Sequence, residues 1–412
     1  MTDVHRAAVL HASGTDGVEY YADGAIGVGP GGRIESVGPW REPSAEARVH
    51  DHRPALLVPG LIDTHFHIPQ IDARGRYGLP LLQWLDRHVY PAERACADPE
   101  TARNMARRAF QSLLAHGTTT VAAYTSCHVQ AAHAAFEEAS AAGIRAVIGN
   151  PLMDRETPPD LRAGVEALAA CEETAARWEG KHGRLFYAFT PRFAVSCTPA
   201  LLASAAEAAR RTGCRIMTHL AENEEEVRRV TELFGGDRSY TAVYASHGIL
   251  APGTIVAHAI HLSGEDCESL ARTGTAVAHC PSSNFFLKSG RMDLSMLDNH
   301  DVTIGLGTDV GAGPSFSLWE TMRDMLYTND TTPERAFSSA TRGGAEALGL
   351  WDRIGDFSPG KEADFCVYDV PPGLTAGSES RPDEMIAGLI FTEGGARPRE
   401  VWIGGRRIFS GG

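Results

Sequence analysis

The 412-residue sequence predicts an α/β protein, a (β/α)8 TIM-type barrel with a small β-sandwich domain formed by its N- and C-terminal segments. Eight strand-like runs alternate with helical stretches in the middle of the chain, several of these runs end in polar residues, and both termini are rich in short strands. A chain of this length is long for one hydrophobic core but suits a barrel with an added domain. We expect residues 1–58 and 353–412 to form the β-sandwich and residues 59–352 to form the barrel.

Both ends of the chain contain short strand-like runs separated by turn residues. Residues 25–29 and 33–37 are strand-like and flank the turn residues 30–32, Pro-Gly-Gly, which predicts a hairpin. Near the other end, residues 363–368 read as a strand and residues 400–406 as the start of a second hairpin. We therefore expect the termini to meet in one β domain built from discontinuous sequence.

The middle of the chain alternates between apolar runs and helical stretches. Together with the run that ends at His65, the predicted strands are 118–123, 145–149, 185–190, 216–220, 255–259, 275–278 and 303–306. Helical stretches are predicted at 99–116, 129–142, 199–212, 223–234 and 264–272. Eight such units favour a barrel, and periodicity alone leaves a doubly wound sheet open. The polar residues at the strand ends favour the barrel.

Three histidines and one aspartate lie at the ends of predicted strands. An apolar run, 56–62, leads into His65 and His67, and their i, i+2 spacing puts both imidazoles on one face of a strand. Strand five ends at His219 and strand eight at Asp309. In a barrel the active site is built at these strand ends. Three imidazoles and one carboxylate there predict a Zn²⁺ or Fe²⁺ site with room for a water molecule.

Each of these residues also has an ordinary structural interpretation. His219 could be a satisfied strand-end histidine, Asp309 could cap a following helix, and Glu222 could be an acidic residue of a first helical turn. We expect residues 224–226, all glutamate, to lie on a solvated helix face. The joint occurrence of these residues at several strand ends, with His258 at the end of strand six, favours the metal site.

Two further observations bear on the metal site. Its predicted number of ions is one, because two-metal hydrolases of this architecture usually bridge their ions with a carbamylated lysine at the end of strand four. The chain has only Lys181, Lys288 and Lys361, and none is at that position. His279, at the end of strand seven, is ambiguous, since it could orient the pocket or contact a substrate.

Composition excludes some classes of partner. The net charge is −14, apolar residues make up 43%, and no basic stretch is present, so we expect no nucleic-acid partner. No apolar run reaches membrane-spanning length, so we expect no membrane partner either. The first residues do not resemble a secretion signal, and the eight cysteines are scattered without a C-x-x-C pair. Both features favour a cytoplasmic protein with reduced thiols.

Over essentially its whole length the sequence resembles the amidohydrolase superfamily and, within it, the guanine deaminases. The motifs that carry this resemblance are His65-Phe66-His67-Ile68-Pro69-Gln70, Leu82-Gln83-Trp84-Leu85, Tyr90-Pro91-Ala92-Glu93, Thr190-Pro191-Arg192-Phe193-Ala194, His219-Leu220-Ala221-Glu222-Asn223, His279-Cys280-Pro281 and Gly307-Thr308-Asp309-Val310. The His-x-His and His-x-x-Glu elements are shared by many deaminases and chlorohydrolases. Pro69-Gln70, the Trp84 segment and Pro191-Arg192-Phe193 are narrower and point to guanine. One departure is Ala312, where a third glycine is common.

The resemblance implies a function and roles for individual residues. It implies hydrolytic deamination of guanine to xanthine and ammonia by a metal-activated hydroxide, in an enzyme that is a homodimer. The implied roles are metal ligation by His65, His67, His219 and Asp309 around one Zn²⁺ (Fe²⁺ is possible), catalysis by Glu222, Asp309 and His258, and purine binding by Gln70, Arg192 and Phe193. Glu222 would be the proton shuttle, and His258 would hydrogen-bond the hydroxide. Arg192 has only donors, which suits the O6 acceptor of guanine and opposes the amino group of adenine.

Two alternatives remain at the sequence level. One is another deaminase or hydrolase of the same superfamily, acting on 8-oxoguanine, on S-adenosylhomocysteine or adenosine-like compounds, or on triazines. The other is a non-catalytic scaffold of the same fold. The complete ligand set together with Glu222 argues against the scaffold, and only the pocket residues separate guanine from the other substrates.

Overall fold

The computed structural model describes residues 2–13, 17–236, 238–377 and 381–411. The β strands in these ranges are β1 Asp3–Ser13, β2 Gly17–Val28, β3 Ile34–Pro39, β4 Arg48–Pro59, β5 Leu61–His67, β6 Thr118–Tyr124, β7 Arg145–Gly149, β8 Pro151–Leu152, β9 Leu185–Pro191, β10 Arg215–Leu220, β11 Thr254–His258, β12 Ala276–His279, β13 Ile304–Leu306, β14 Phe365–Tyr368, β15 Pro398–Ile403 and β16 Arg406–Ser410. They belong to two sheets.

The α-helices occupy the intervals between the strands. They are α1 Leu81–Trp84, α2 Tyr90–Ala95, α3 Pro99–Ala115, α4 Val129–Ala142, α5 Leu168–Trp178, α6 Pro199–Thr212, α7 Glu224–Phe234, α8 Tyr240–Ser246, α9 Gly264–Thr273, α10 Pro281–Phe286, α11 Leu294–Asp298, α12 Leu318–Thr328, α13 Pro333–Ser339, α14 Arg342–Ala347 and α15 Pro382–Ile390. Short 3-10 turns lie at Ile68–Gln70, Pro159–Leu161, Val165–Ala167 and Ala194–Ser196, and a π-helical turn lies at Leu85–Val89. None of the described helices is long and apolar enough to cross a membrane.

The chain divides into two compact units. The first comprises Met1–Asp63, Gln111–Thr120 and Phe316–Gly412, and the second comprises Thr64–Phe110 and Val121–Ser315. The residue bounds of the predicted domains remain a prediction.

The first unit contains a seven-stranded sheet in the order β16-β15-β14-β4-β1-β2-β3. Both predicted hairpins are present, because β2 pairs antiparallel with β3 and β15 pairs antiparallel with β16. The two ends of the chain join where β14 pairs antiparallel with β4. Alternating apolar residues of these strands, among them Val9, Leu57, Phe365 and Trp402, form a buried cluster. The prediction that both termini build one β domain is confirmed.

The other sheet has the order β13-β12-β11-β10-β9-β7-β6-β5, with β8 beside β9. Its two end strands also approach each other: the amide of Asp309 donates to the carbonyl of His65 (2.8 Å), and the Thr64 hydroxyl donates to the carbonyl of Leu306 (2.9 Å). The sheet therefore closes nearly into a barrel of eight parallel strands. Each of the eight predicted strand runs corresponds to one of these strands, and the barrel prediction is confirmed.

The apolar run 56–62 is divided between the two sheets. Strand β4 ends at Pro59 and β5 begins at Leu61, so Gly60 is the point where the chain leaves one sheet for the other. A Cβ at Gly60 would overlap the side chain of Thr119, so only glycine fits this close approach. Hydrophobicity alone does not reveal this break, because the residues on both sides of it are apolar and buried.

Candidate metal centre

The four predicted metal ligands converge at the carboxyl ends of β5, β10 and β13. The Nε2 atoms of His65 and His67 are 3.1 Å apart, and Nε2 of His219 is 3.3 Å from Nε2 of His67. The carboxylate oxygen Oδ1 of Asp309 lies 3.4 Å from Nε2 of His65 and 3.3 Å from Nε2 of His67. The ligand atoms of His65, His67 and Asp309 lie within 4.8 Å of one another, and the neighbouring Nε2 of His219 adds a third imidazole nitrogen to this cluster.

His258 and Glu222 stand beside this cluster. Nε2 of His258 lies 3.4 Å from Oε2 of Glu222 and 4.0 Å from Oδ2 of Asp309. The ring nitrogens of His65, His219 and His258 also lie within 4.8 Å of one another. A proton carried by His258 or Glu222 is therefore within reach of a molecule held beside the two side chains.

Hydrogen bonds from neighbouring groups orient the side chains of the cluster. The Nδ1 atom of His219 bonds the carbonyl of Arg192 (2.7 Å), which leaves Nε2 as the acceptor nitrogen that faces the cluster. The Nδ1 atom of His258 bonds Oδ1 of Asn284 (2.9 Å), and the hydroxyl of Ser283 donates to Oδ2 of Asp309 (2.6 Å). The first two contacts determine which ring nitrogen of His219 and of His258 is available for a ligand.

Sequence reasoning missed Ser283 and Asn284. Both lie on α10, which begins at Pro281 directly after β12. The available signal was a run of small polar residues just after a strand end and a helix-starting proline, a position that faces the active site of a barrel.

The backbone is strained where the cluster residues leave their strands. Asp309, His258 and Ala221 have φ angles of 48°, 72° and 49°, in the left-handed region that such residues rarely adopt. After Asp309, the amide of Gly313 donates back to its carbonyl (2.6 Å), and a Cβ on Gly313 would overlap the carbonyl oxygen of Thr308. Such strain gathers at functional sites, where the surrounding packing holds it in place.

Burial shifts the pKa values of the three histidines and of Glu222 in opposite directions. It lowers the pKa of His65 to about 4, and it lowers the pKa values of His67 and His219 as well, so these imidazoles are neutral and able to bind a metal. Burial raises the pKa of Glu222 to about 7. For Asp309, burial disfavours the charge, but hydrogen bonds from the two histidines of β5 outweigh it and hold its pKa well below the usual value.

His258 differs from the other imidazoles of the centre. Burial disfavours its charged form, yet the neighbouring carboxylates of Glu222 and Asp309 raise its pKa above the ordinary value. Neutral imidazoles and an ionised carboxylate fit a divalent cation, whereas a protonated His258 is suited to donating a hydrogen bond.

A cleft opens beside the cluster, with about 390 Å³ of empty space that includes open solvent. The predicted substrate residues Gln70, Arg192 and Phe193 line it, next to His67, His219, Glu222, His258 and Asp309. Its apolar walls are Leu81, Trp84, Leu85, Leu287 and Ala312. His279 is buried at the end of β12 and is not among the described residues that line this cleft.

The structure excludes the ordinary helix-end interpretations of Asp309 and Glu222. Helix α12 is capped by Ser317, so the interpretation of Asp309 as a helix cap is wrong. Glu222 precedes helix α7 and its cap, Asn223, so it is not a first-turn residue. Its Oε1 accepts a hydrogen bond from the hydroxyl of Ser289 (3.3 Å).

The expectation that Glu226 lies on a solvated helix face is wrong. Its side chain is buried, and Oε2 accepts hydrogen bonds from the amides of Glu222 (2.9 Å) and Asn223 (3.2 Å). Asn223 and Glu226 form a capping box at the start of α7. Glu224 and Glu225 are exposed, as expected.

Comparison with known proteins gives a consistent result. The amidohydrolase family model matches residues 56–408. Guanine deaminase of Escherichia coli K12 is 37% identical over 367 residues, which cover 86% of this chain and 83% of that protein. The solved structure of the E. coli guanine deaminase has a TM-score of 0.92 at 33% identity and covers 99% of both chains.

Two more similar structures have been solved with a bound ligand. A guanine deaminase from C. acetobutylicum with guanine bound in the active site has a TM-score of 0.90 at 25% identity, and covers 99% of this chain and 100% of that one. An adenosine deaminase from Xanthomonas campestris with bound zinc has a TM-score of 0.86 at 25% identity, and covers 98% of this chain and 92% of that one.

Proposed function

The chain belongs to the amidohydrolase family, and we propose that it is a metal-dependent aminohydrolase that converts guanine and water to xanthine and ammonia. The observation that carries the substrate choice is the side chain of Arg192, a group with donors only, in a cleft that also holds the ligand cluster and Glu222. Relatives named guanine deaminases, at 37% identity and with a guanine-bound structure among the neighbours, support the same substrate.

We propose that His65, His67, His219 and Asp309 hold one Zn²⁺ ion, with Fe²⁺ as the alternative. The fit rests on the buried neutral imidazoles and the ionised carboxylate, whose ligand atoms lie close together. When bound, such an ion lowers the pKa of water and so supplies hydroxide at neutral pH. The zinc-containing adenosine deaminase structure supports this choice of metal.

The neighbouring side chains then handle the protons. Asp309 lies at the edge of the cluster and accepts the proton that the attacking water loses. Glu222, with a pKa of about 7, both accepts and releases a proton near neutral pH, and we assign it the protonation of the ring nitrogen next to C2. His258 donates a hydrogen bond to the oxygen that adds to C2. The exocyclic amino group leaves as ammonia with the proton that Asp309 accepted, and the hydroxyl proton of the adduct returns to Glu222, so that the aromatic ring is restored with a carbonyl at C2.

The remaining cleft residues hold the purine. Arg192 donates to O6, on the edge of guanine away from C2. Gln70 has a donor and an acceptor and anchors the ring without choosing strongly between bases. Phe193 and Trp84 supply flat apolar surface, which any planar ring can use. The other substrates considered above, 8-oxoguanine, S-adenosylhomocysteine and triazines, are not favoured.

The test is steady-state kinetics of the zinc-loaded protein with guanine, adenine, 8-oxoguanine, cytosine and S-adenosylhomocysteine. We expect kcat/KM for guanine to exceed that for adenine by about 10²-fold or more, because a buried guanidinium left facing a donor costs a few kcal/mol. Arg192→Ala should lower the guanine value far more than any residual adenine value. Arg210→Ala, which changes an arginine that is 75% exposed, is the matched control. A preference for any other compound of the panel contradicts the assignment.

The homodimer and the cytoplasmic location stay predictions. Sedimentation velocity of the purified protein tests the first, and fractionation of the producing cells tests the second.

A further inference from the structure

Arg192 is held by a buried carboxylate that neither the ligand cluster nor the cleft lining includes. Its Nη1 atom donates to Oε1 of Glu93 over 2.5 Å, and the two side chains are only 3% and 0% exposed. Glu93 lies on α2, and Arg192 directly follows β9, 99 positions away in sequence. The pair therefore ties a residue of the cleft to a helix from a distant part of the chain.

The contact leaves most donors of Arg192 free for a ligand. Within the described residues, Glu93 is the only hydrogen-bond partner of its guanidinium, which also lies 5.7 Å from the ring centre of Tyr90 on the same helix. A guanidinium has five N–H donors in a fixed plane, so an anchor at Nη1 determines where those on Nε and Nη2 point. Because Arg192 lines the cleft, these donors are available to an acceptor there.

Within the described part of the chain, the carboxylate of Glu93 makes no other hydrogen bond. Oε2 of Glu93 is buried without a hydrogen-bond partner, and Oε1 bonds Arg192 alone. The buried carboxylate of Glu226, by contrast, bonds two backbone amides at the start of α7. Burying a guanidinium without a counter-charge is costly, so Glu93 both stabilises the charge of Arg192 and orients it.

We propose that Glu93 is a positioning residue that determines the preference for guanine over adenine through Arg192. The proposal rests on the proposed function, in which Arg192 bonds O6. Without Glu93 the guanidinium loses its fixed plane, and its donors no longer meet the acceptor in one geometry. Binding of guanine then weakens, while the groups around the metal centre, and with them the chemical step, stay as they are.

Glu93→Gln tests this, because glutamine has the size of glutamate and keeps an oxygen acceptor but lacks the charge. With the metal-loaded enzyme we expect KM for guanine to rise about five- to tenfold, the usual difference between a charged and a neutral hydrogen bond. We expect kcat to change much less, and the guanine-to-adenine ratio of kcat/KM to fall by a similar factor. Glu138→Gln removes the charge from another carboxylate paired with arginine, 12% exposed on α4, and should change none of these values.

A double-mutant cycle separates positioning from general structural damage. In an Arg192→Ala background, Glu93→Gln should add no further loss of guanine kcat/KM, because the group it positions is gone. An equal loss in both backgrounds would overturn the proposal. If Glu93→Gln does not fold, Glu93→Asp is the alternative variant, because it keeps the charge but shortens the side chain by one methylene. A raised KM for guanine with unchanged kcat would support the proposal. An unchanged KM and an unchanged preference for guanine over adenine would overturn it.

The kinetics of the wild-type enzyme separate a failure of the proposed function from a failure of the proposed role of Glu93. If the wild-type enzyme does not prefer guanine, the proposed function fails. If it does, and Glu93→Gln keeps the wild-type KM and base preference, only the role of Glu93 fails.

Discussion

At the scale of single residues, burial gives the histidines and Glu222 of the metal centre different chemical properties. Burial favours the neutral form of every titratable group, which for a histidine is the deprotonated form and for a glutamate the protonated one. It therefore lowers the pKa of His65 to about 4 and raises that of Glu222 to about 7. The imidazole is left with a lone pair for a metal, and the carboxyl group can exchange a proton near neutral pH.

Replacing Glu222 by glutamine tests its role as the proton shuttle. Glu222→Gln keeps the size of the side chain and its acceptor for the Ser289 hydroxyl but cannot transfer a proton. We expect kcat to fall about 10²-fold or more, the usual contribution of a positioned acid–base group, with normal metal content and thermal stability. Glu225→Gln, at an exposed position three residues away, is the control. Near-normal kcat in metal-loaded Glu222→Gln would rule out the shuttle.

Asp309 is tested by removal of its carboxylate. Asp309→Ala should lose both bound metal and activity, because one of four proposed protein ligands is gone. Elemental analysis of the purified variant next to wild type measures the first effect, and guanine turnover measures the second. Full metal occupancy together with full activity would show that Asp309 is not a ligand.

At the scale of secondary-structure elements, the start of α7 links the stability of a helix to the position of a proposed catalytic group. Glu226 accepts the amide hydrogens of Asn223, the helix cap, and of Glu222, the proposed shuttle. A single buried carboxylate thus completes the capping box and also holds the backbone from which Glu222 extends.

Glu226→Ala should therefore affect both stability and turnover. We expect a loss of about 1 kcal/mol or more in the free energy of unfolding, the scale of a lost cap, and a lower kcat because the backbone at Glu222 is no longer held. Glu225→Ala, one position earlier and exposed, should change neither quantity beyond a few tenths of a kcal/mol. Thermal unfolding and steady-state kinetics of the two variants measure these quantities. Equal losses of stability and of kcat in both variants would contradict this role of Glu226.

At the scale of the whole molecule, the proposed ligands come from the first, fifth and eighth strands of the barrel, residues that are far apart in the sequence. An ion bound by the folded chain and not by the unfolded chain stabilises the fold by mass action. The unfolded chain holds these four side chains too far apart to form the site.

We expect chelation of the metal to lower the midpoint of thermal unfolding and added Zn²⁺ to restore it. At a free concentration 100 times the Kd the expected gain is about 2.7 kcal/mol. Asp309→Ala should show a much smaller shift on addition of Zn²⁺. An unfolding midpoint that is the same with and without metal would contradict binding at this site.

The sequence predicted the architecture because hydrophobic periodicity is a local signal. All eight barrel strands and both terminal hairpins lie where short runs of residues place them. The interpretation of Glu226 failed although a local signal was present, because Asn223 followed three residues later by Glu226 is the pattern of a capping box.

By itself the sequence determined the fold class and the chemical types at the strand ends, since strand period and residue identity are properties of the chain alone. The tertiary structure decided which of these groups meet. The pairing of Arg192 with Glu93 spans 99 residues, and the bonds of His258 to Asn284 and of Ser283 to Asp309 each join residues 26 positions apart. The pKa values of the centre also depend on the folded structure, because burial and the approach of neighbouring charges arise only when the barrel closes.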